Sequence, residues 1–152
     1  MTTDLKQAHA FLDEIADDMQ FLDGRQDQLL AFRQYGDYLT PLDDMYKTEE
    51  YYVHGCASAT HVRAILNDDN TVTFEGDSQS FISKGYIYLL TKAFNGIDGD
   101  VFLTESEPIV QEFIEKAQVG LSLVQSRANA FERIYRFMQK HTLAAIASKD
   151  NA

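Results

Sequence analysis

The sequence predicts an α+β domain in which a small three-stranded antiparallel sheet packs against several helices. At both ends of the chain, apolar residues recur at spacings of three and four, which is typical of helices that bury one face. Between these regions, residues 61–75 show the period of two that is expected of strands. Because 152 residues suffice for a single core, residues 1–152 are expected to form one domain with a frayed polar tail at residues 148–152.

Two amphipathic helices are expected at the start of the chain. Residues 5–22 carry one apolar stripe, with Asp4 as the N-cap and Gly24 as the stop signal. A second helix is expected over residues 26–39. Gly36 lies inside it, where a glycine costs about 1 kcal/mol of helix stability. This position therefore predicts close packing against another element.

Three strands are expected in the middle of the chain. A short strand is predicted at Tyr51–Val53 and a longer one at residues 61–66, where apolar and polar residues alternate. The Asn-Asp-Asp-Asn cluster at residues 67–70 predicts a turn, and Thr71–Glu75 returns as the third strand. Since the cluster lacks the spaced ligands, the glycine and the distal glutamate of a calcium loop, a hairpin turn is the better interpretation and no metal is expected.

Three further helices are expected after the sheet. Gly76-Asp77-Ser78 is predicted to open the most apolar of them, with Asp77 or Ser78 as its N-cap and its end at Phe94. Another helix is expected from Ser106 to Gly120, and the last one from Ser126.

The composition excludes several classes of function. The net charge is −11, from 24 acidic and 13 basic residues, which argues against nucleic acid as a main partner. No apolar run approaches the roughly 20 residues that cross a bilayer. A single cysteine excludes an internal disulfide and a paired-cysteine metal site. With no signal peptide visible at its start, the chain is expected in a reducing compartment, most simply a bacterial cytoplasm.

The single cysteine lies in the stretch Val53-His54-Gly55-Cys56-Ala57-Ser58-Ala59, where its neighbours are small. Cysteines used as core filler normally lie among bulky apolar residues. Gly55 permits a sharp bend, so the stretch predicts a turn that presents the thiol to a partner.

The order and spacing of several motifs resemble the SufE-like family. The turn is of the form G-C-x-S, and Gly76-Asp77-Ser78 and Lys84-Gly85 follow it at matching distances. Further similarity comes from segments along the rest of the chain: Phe21-Leu22-Asp23, Tyr35-Gly36, Pro41-Leu42, Leu121, Ser126-Arg127 and Asn129. The resemblance covers a core of about residues 18–140. It departs from the family at Thr60-His61, where V-W is common, and at Ala130, where glycine is common.

The resemblance implies a SufE/NifU-like fold and a role in iron–sulfur cluster assembly. The protein would accept persulfide sulfur from a PLP-dependent cysteine desulfurase onto Cys56, stimulate that enzyme, and pass the sulfur to a scaffold. It would be a carrier without independent turnover or cofactor, and a monomer or weak dimer. Arg127 would support the thiolate. The other site residues expected for binding are Gly55, Ser58, Asp77, Ser78 and Lys84.

The attacking group must be a thiolate, whereas a free cysteine with a pKa of about 8.5 is only a few per cent ionised at neutral pH. Lowering that pKa by one unit requires about 1.4 kcal/mol. The candidate sources are the N-terminus of the third helix, His54, His61 and Arg127. We also expect the turn to fold inward in the isolated protein, and this burial would raise the thiol pKa.

An alternative from the same residues is a cysteine hydrolase or thiol peroxidase that uses Cys56 with His54 or His61. Such a pair requires the base within about 3 Å of the thiol, and usually a third orienting group. Because His54 is two residues away on an extended segment, its side chain would point along the chain beside Cys56. A cluster-binding scaffold is disfavoured, since it needs several cysteine ligands.

Overall fold

The architecture is that of an α+β domain, as the sequence predicts. The computed structural model describes residues 5–22, 24–120 and 125–150, without the side chains of residue 25 and residues 118–129. In chain order the elements of these residues are α1 Leu5–Gln20, α2 Gly24–Asp37, β1 Thr60–Leu66, β2 Val72–Ser78, α3 Phe81–Phe94, α4 Gly99–Glu105, α5 Glu107–Gly120 and α6 Gln125–Asp150.

The sheet has two strands among the described residues, so the prediction of three is wrong. Strand β1 pairs antiparallel with β2, from Thr60 opposite Ser78 to Leu66 opposite Val72. Residues Glu49–Tyr51, which overlap the start of the short strand expected at Tyr51–Val53, form a 3₁₀ turn. The amides of Tyr51 and Tyr52 bond back within that turn, so only one isolated bridge, from Tyr52 to His61, reaches β1.

The core is built around α3, which is packed against the sheet, α1, α2 and α6. Its side chains are buried on several sides, among them Tyr86, Ile87, Leu89, Leu90 and Phe94. Such all-round burial explains why its sequence is apolar with little periodicity. Within the described residues, no helix combines the length and apolar character needed to cross a membrane.

Two glycines allow α2 and α3 to approach each other closely. A Cβ atom at Gly36 would lie 2.8 Å from Cβ of Lys84 and 3.0 Å from the carbonyl oxygen of Phe81. A Cβ atom at Gly85 would lie 2.3 Å from the carbonyl oxygen of Phe32. The close packing predicted at Gly36 is therefore confirmed, and Gly85 is its counterpart on α3.

The prediction that residues 76–78 open the third helix is wrong, since they form the end of β2. Gly76 pairs with Val62, and a Cβ there would lie 2.9 Å from the carbonyl oxygen of His61, so glycine serves the strand pairing. Helix α3 begins at Phe81. Its N-cap is Ser80, whose hydroxyl accepts a hydrogen bond from the amide of Ser83.

The later helices also differ in detail from the prediction. The seven-residue α4, capped by Asp98, was not expected because it is too short to show periodicity. Ser106 does not cap α5 with its side chain, since its hydroxyl donates to the carbonyl of Phe102 and contacts Tyr135. Helix α6 continues through residues 148–150, which were expected in the tail. The predicted cap Asp4 and the side chain of Ser126 lie outside the described residues.

Candidate functional site

The cysteine turn, residues 54–59, is closed at its base by one backbone hydrogen bond. The amide of Val53 donates to the carbonyl oxygen of Thr60 over 2.8 Å, beside the bridge between Tyr52 and His61. Gly55 has a φ of +92°, a conformation that side chains with a Cβ rarely adopt. The turn can therefore bend at the residue before Cys56, as the sequence predicts.

Cys56 is a free, half-buried thiol that packs against the core. Burial raises the pKa of this thiol above its usual value. A hydrogen bond with the Thr60 hydroxyl, and then the positive charge of Arg133, act in the opposite direction on that pKa. In the isolated protein the thiol is therefore partly withdrawn from water and mostly protonated at neutral pH.

A chain of hydroxyl groups connects the cysteine turn to the end of β2. The Thr60 hydroxyl lies 2.9 Å from the Ser78 hydroxyl and 3.0 Å from the carbonyl oxygen of Ser58. The Ser78 hydroxyl accepts from the amide of Ser80 at 3.1 Å, which leaves its proton for Thr60. The single proton of Thr60 is then donated to the Ser58 carbonyl oxygen.

Asp77 is the centre of a charged cluster beside this chain. Its carboxylate lies 3.5 Å from Nζ of Lys47 and 3.7 Å from Nζ of Lys84, and it accepts from the amide of Ser78 at 2.8 Å. A small cavity of about 160 Å³ lies here. The cavity is lined by Lys47, Ala59, His61, Asp77, Ser78, Gln79 and Lys84.

A groove of about 570 Å³ runs along the other side of the turn. It is lined by Val53 and His54 from the chain before Cys56, and by Glu132, Arg133, Arg136, Phe137 and Lys140 from α6. Arg133 donates from Nη1 to the carbonyl oxygen of Gly55. In a chain with a net charge of −11, this groove places two arginines and one lysine, together with Glu132, next to the cysteine turn.

Among the described residues, no hydrogen bond joins His54 or His61 to the thiol. Nε2 of His54 lies 2.6 Å from Oε1 of Glu49, at the protein surface. The ring of His61 packs against Tyr52, and burial, followed by the charge of Lys47, lowers the His61 pKa. The contacts that a cysteine–histidine pair requires are therefore not formed.

The structure brings together five of the residues that the sequence singles out. Gly55 and Ser58 lie in the cysteine turn, and Asp77, Ser78 and Lys84 lie around the adjoining end of β2. The N-terminus of α3 follows closely, since the amide of Gln79 donates to the carbonyl oxygen of Ala59 at 3.0 Å. The side chain of Arg127 lies outside the described residues, so its role stays a prediction.

The sequence does not single out Thr60 or Arg133 as site residues. Thr60 occupies a position that looks like a departure from the family motif, and its hydroxyl gains its role only through the pairing with Ser78. Arg133 is 78 residues from Gly55 in the chain, and no local pattern indicates their contact.

One group of potential metal ligands is present among the described residues, away from the cysteine turn. The ligand atoms of His9, Asp13 and Glu112 lie within 4.8 Å of one another. The ammonium of Lys116 bonds to Asp13 and lies 3.6 Å from Glu112, and His9 bonds to Glu112 at 2.8 Å. These contacts account for the cluster as an ion-pair network between α1 and α5.

A larger groove, of about 820 Å³, is lined by none of the residues of the cysteine turn. It lies between residues 38–46, the middle of the sheet and the C-terminal half of α3. The guanidinium of Arg63 stacks 3.7 Å from the ring centre of Tyr46 and pairs with Glu75 at 3.0 Å, which ties residues 38–46 to the sheet.

The fold and the site define a small α+β domain that presents one half-buried thiol on a turn beside its sheet. The chain belongs to the SufE family, whose model, an Fe–S metabolism associated domain, matches residues 13–142. This confirms the resemblance seen in the sequence.

The chain is similar in sequence to SufE-like proteins and in fold to a solved structure. It is 37% identical to SufE-like protein 1, chloroplastic/mitochondrial, of Arabidopsis thaliana over 109 residues, which are 72% of this chain and 28% of that protein. It is 35% identical to an uncharacterised SufE-like protein of Synechocystis sp. over 120 residues, which are 79% of this chain and 70% of that protein. The solution structure of a hypothetical protein from Thermus thermophilus has the same fold, with a TM-score of 0.66 and 14% identity, covering 90% of this chain and 96% of that one.

Proposed function

We propose that the protein is a sulfur acceptor, which takes persulfide sulfur from a PLP-dependent cysteine desulfurase onto Cys56 and passes it to an iron–sulfur scaffold. Membership of a family associated with Fe–S metabolism supports the pathway. The observation that carries the proposal is the position of the chain's single thiol. It is half-buried and lies on a turn that a backbone hydrogen bond from Val53 to Thr60 closes at its base and that Arg133 of α6 contacts at Gly55.

The transfer requires no oxidant or reductant. The thiolate of Cys56 attacks the outer sulfur of the cysteine persulfide on the desulfurase, and a new S–S bond forms on Cys56. The S–S bond in the desulfurase breaks, and its cysteine leaves as a thiolate. The proton that Cys56 loses on ionisation goes to water, and the leaving thiolate can take up another. A second exchange of the same kind delivers the sulfur to the acceptor.

The environment of Cys56 suits a carrier better than an enzyme with its own turnover. Burial keeps the thiol protonated and shields it, and a persulfide at the same position would be shielded from reductants in bulk water. Thr60 and Arg133 oppose the effect of burial on the Cys56 pKa and favour the anion. The proposal includes a monomer or weak dimer with no cofactor, working in a reducing compartment such as a bacterial cytoplasm, where a free thiol persists.

The test is persulfidation of Cys56. The reduced protein is incubated with a cysteine desulfurase and L-cysteine, and the peptide that contains Cys56 is examined by mass spectrometry for the added mass of one sulfur atom. We expect this mass in the wild-type protein, together with faster alanine release by the desulfurase, and neither effect with Cys56→Ser. An unmodified Cys56 with several different desulfurases would contradict the proposal.

The hydrolase or peroxidase alternative finds no support in the described contacts, because the imidazoles of His54 and His61 have other neighbours than the thiol. The same protein sample distinguishes the two. Cysteine-dependent turnover of ester, amide or peroxide substrates would favour the alternative, whereas persulfidation without such turnover favours the carrier.

A further inference from the structure

The side chain of Arg133 lies directly across the cysteine turn. It donates a hydrogen bond from α6 to the carbonyl oxygen of Gly55, the residue before Cys56. A Cβ atom at Gly55 would lie 3.0 Å from Nε of Arg133 and 3.1 Å from its Cδ and Cζ. The missing side chain at Gly55 therefore makes room for the arginine, in addition to permitting the positive φ.

The hydrogen bond from Arg133 to the Gly55 carbonyl joins the charged face of α6 to the cysteine turn. It joins residues 78 positions apart, and a cationic donor forms a stronger hydrogen bond to a carbonyl than a neutral one does. The other described bonds of the turn lie at its base and its second half, where Val53 bonds to Thr60, Thr60 to Ser58 and Gln79 to Ala59. Release of Arg133 would therefore loosen the segment around Gly55 and Cys56 while the base of the turn stays in place.

Other charged groups near the turn have neighbours of their own. His54 bonds to Glu49, and Asp77 lies near Lys47 and Lys84. The remaining titratable and charged side chains that line the two cavities flanking the turn are His61 from β1 and Glu132, Arg136 and Lys140 from α6. Arg136 bonds to Glu107 at 2.6 Å and lies 3.4 Å from Glu132, so its charge is largely compensated.

We propose that Arg133 is a positioning residue for the sulfur-accepting thiol: its bond to the Gly55 carbonyl holds the cysteine turn against α6 and keeps Cys56 half-buried. The role of Arg133 in sulfur transfer rests on the proposed function, whereas its effect on Cys56 is tested in the isolated protein without a desulfurase. The bond holds the thiol in the half-buried position, and the same guanidinium stabilises the thiolate or persulfide anion.

The experiment measures the rate of Cys56 alkylation by iodoacetamide as a function of pH in the isolated protein. The midpoint of the profile reports the thiol pKa, and the plateau at high pH reports access to the thiolate. We expect Arg133→Gln to move the midpoint to higher pH and to raise the plateau several-fold, because both the charge and the bond are lost. Arg133→Lys keeps the charge, so its midpoint should stay at that of the wild type.

Two further variants serve as controls. Arg136→Gln removes a guanidinium from the same helix and groove but not from the turn, so its profile should match the wild type. Gly55→Ala disturbs the contact from the other side, since its Cβ would press on Arg133, and it should raise the plateau as well. Urea unfolding verifies that each variant is folded.

Superimposable profiles of Arg133→Gln and wild type would overturn the inference, as would an equal change in Arg136→Gln. Neither result depends on a desulfurase. If Cys56 is persulfidated normally but Arg133→Gln leaves the alkylation profile unchanged, the proposed function stands and this inference fails. If Arg133→Gln changes the profile but Cys56 is not persulfidated, this inference stands and the proposed function fails.

Discussion

Thr60→Val keeps the shape of a fully buried side chain but removes the hydroxyl that connects the cysteine turn to β2. That hydroxyl lies 2.9 Å from the Ser78 hydroxyl and 3.0 Å from the Ser58 carbonyl oxygen. In the valine variant the buried Ser78 hydroxyl loses the partner for its proton. Leaving one buried polar group unsatisfied costs about 1–3 kcal/mol, and no cavity opens because the two side chains are similar in volume. We therefore expect the free energy of unfolding to fall by about 1–3 kcal/mol.

The same substitution changes the chemistry of the thiol. Of the effects that lower the Cys56 pKa, the hydrogen bond with Thr60 is the largest, so its loss should move the alkylation midpoint to higher pH. Urea unfolding at neutral pH measures the stability, and iodoacetamide alkylation across pH measures the thiol. Thr60→Ser is the matched control, because it keeps the hydroxyl and removes only a methyl group. Its alkylation midpoint should stay near that of the wild type.

The reasoning would be refuted if Thr60→Val were within about 0.5 kcal/mol of the wild type and gave the same alkylation profile. A loss of stability without a change in the alkylation midpoint would restrict Thr60 to a structural role. The Thr60 hydroxyl would then keep its hydrogen bond to the Ser58 carbonyl when the thiol ionises, and would not stabilise the thiolate.

Three more outcomes are expected from the structure. Cys56→Ser should abolish persulfidation and desulfurase stimulation while changing the free energy of unfolding in urea little, by about 0.5 kcal/mol, and a loss of several kcal/mol would show that the thiol serves the core. Gly85→Ala should lower the unfolding free energy by about 1–3 kcal/mol despite its better helix propensity, because the added Cβ would meet the backbone oxygen of Phe32 at 2.3 Å; a stabilised variant in urea unfolding would contradict the close packing. Burial raises the pKa of Tyr135 to about 12 from an ordinary 10.0, so its contribution to stability is complete below pH 10.0 and is lost as the pH rises towards 12. Urea unfolding across this range should show a shallower decline for Tyr135→Phe than for the wild type, and parallel declines would be evidence against this linkage.

The sequence was sufficient for the fold class, the family and the thiol. Apolar spacing records which face of a helix is buried, so the helices could be placed without knowing their neighbours. The close packing at Gly36 could also be predicted, because a glycine inside a helix lowers its stability and therefore indicates that another element packs closely there. The single cysteine among small residues indicated the turn that the structure shows around Cys56.

The ends of elements were less predictable because local patterns compete there. Residues 76–78 carry polar groups that suit an N-cap, yet the pairing with β1 keeps them in the strand as far as Ser78, and Ser80 caps α3 instead. The expected strand at Tyr51–Val53 is reduced to one bridge, because a 3₁₀ turn already uses the backbone groups before it.

The details of the site were decided by tertiary structure alone. Thr60 meets Ser78 because the register of two strands places them opposite each other, and Arg133 meets Gly55 because α6 packs beside the sheet. A sequence pattern shows on which face of its own helix or strand a residue lies. Its partner across the core depends on how whole helices and strands pack together. The thiol proposed to accept sulfur is therefore visible in the sequence, while the groups that contact its turn become visible only in the fold.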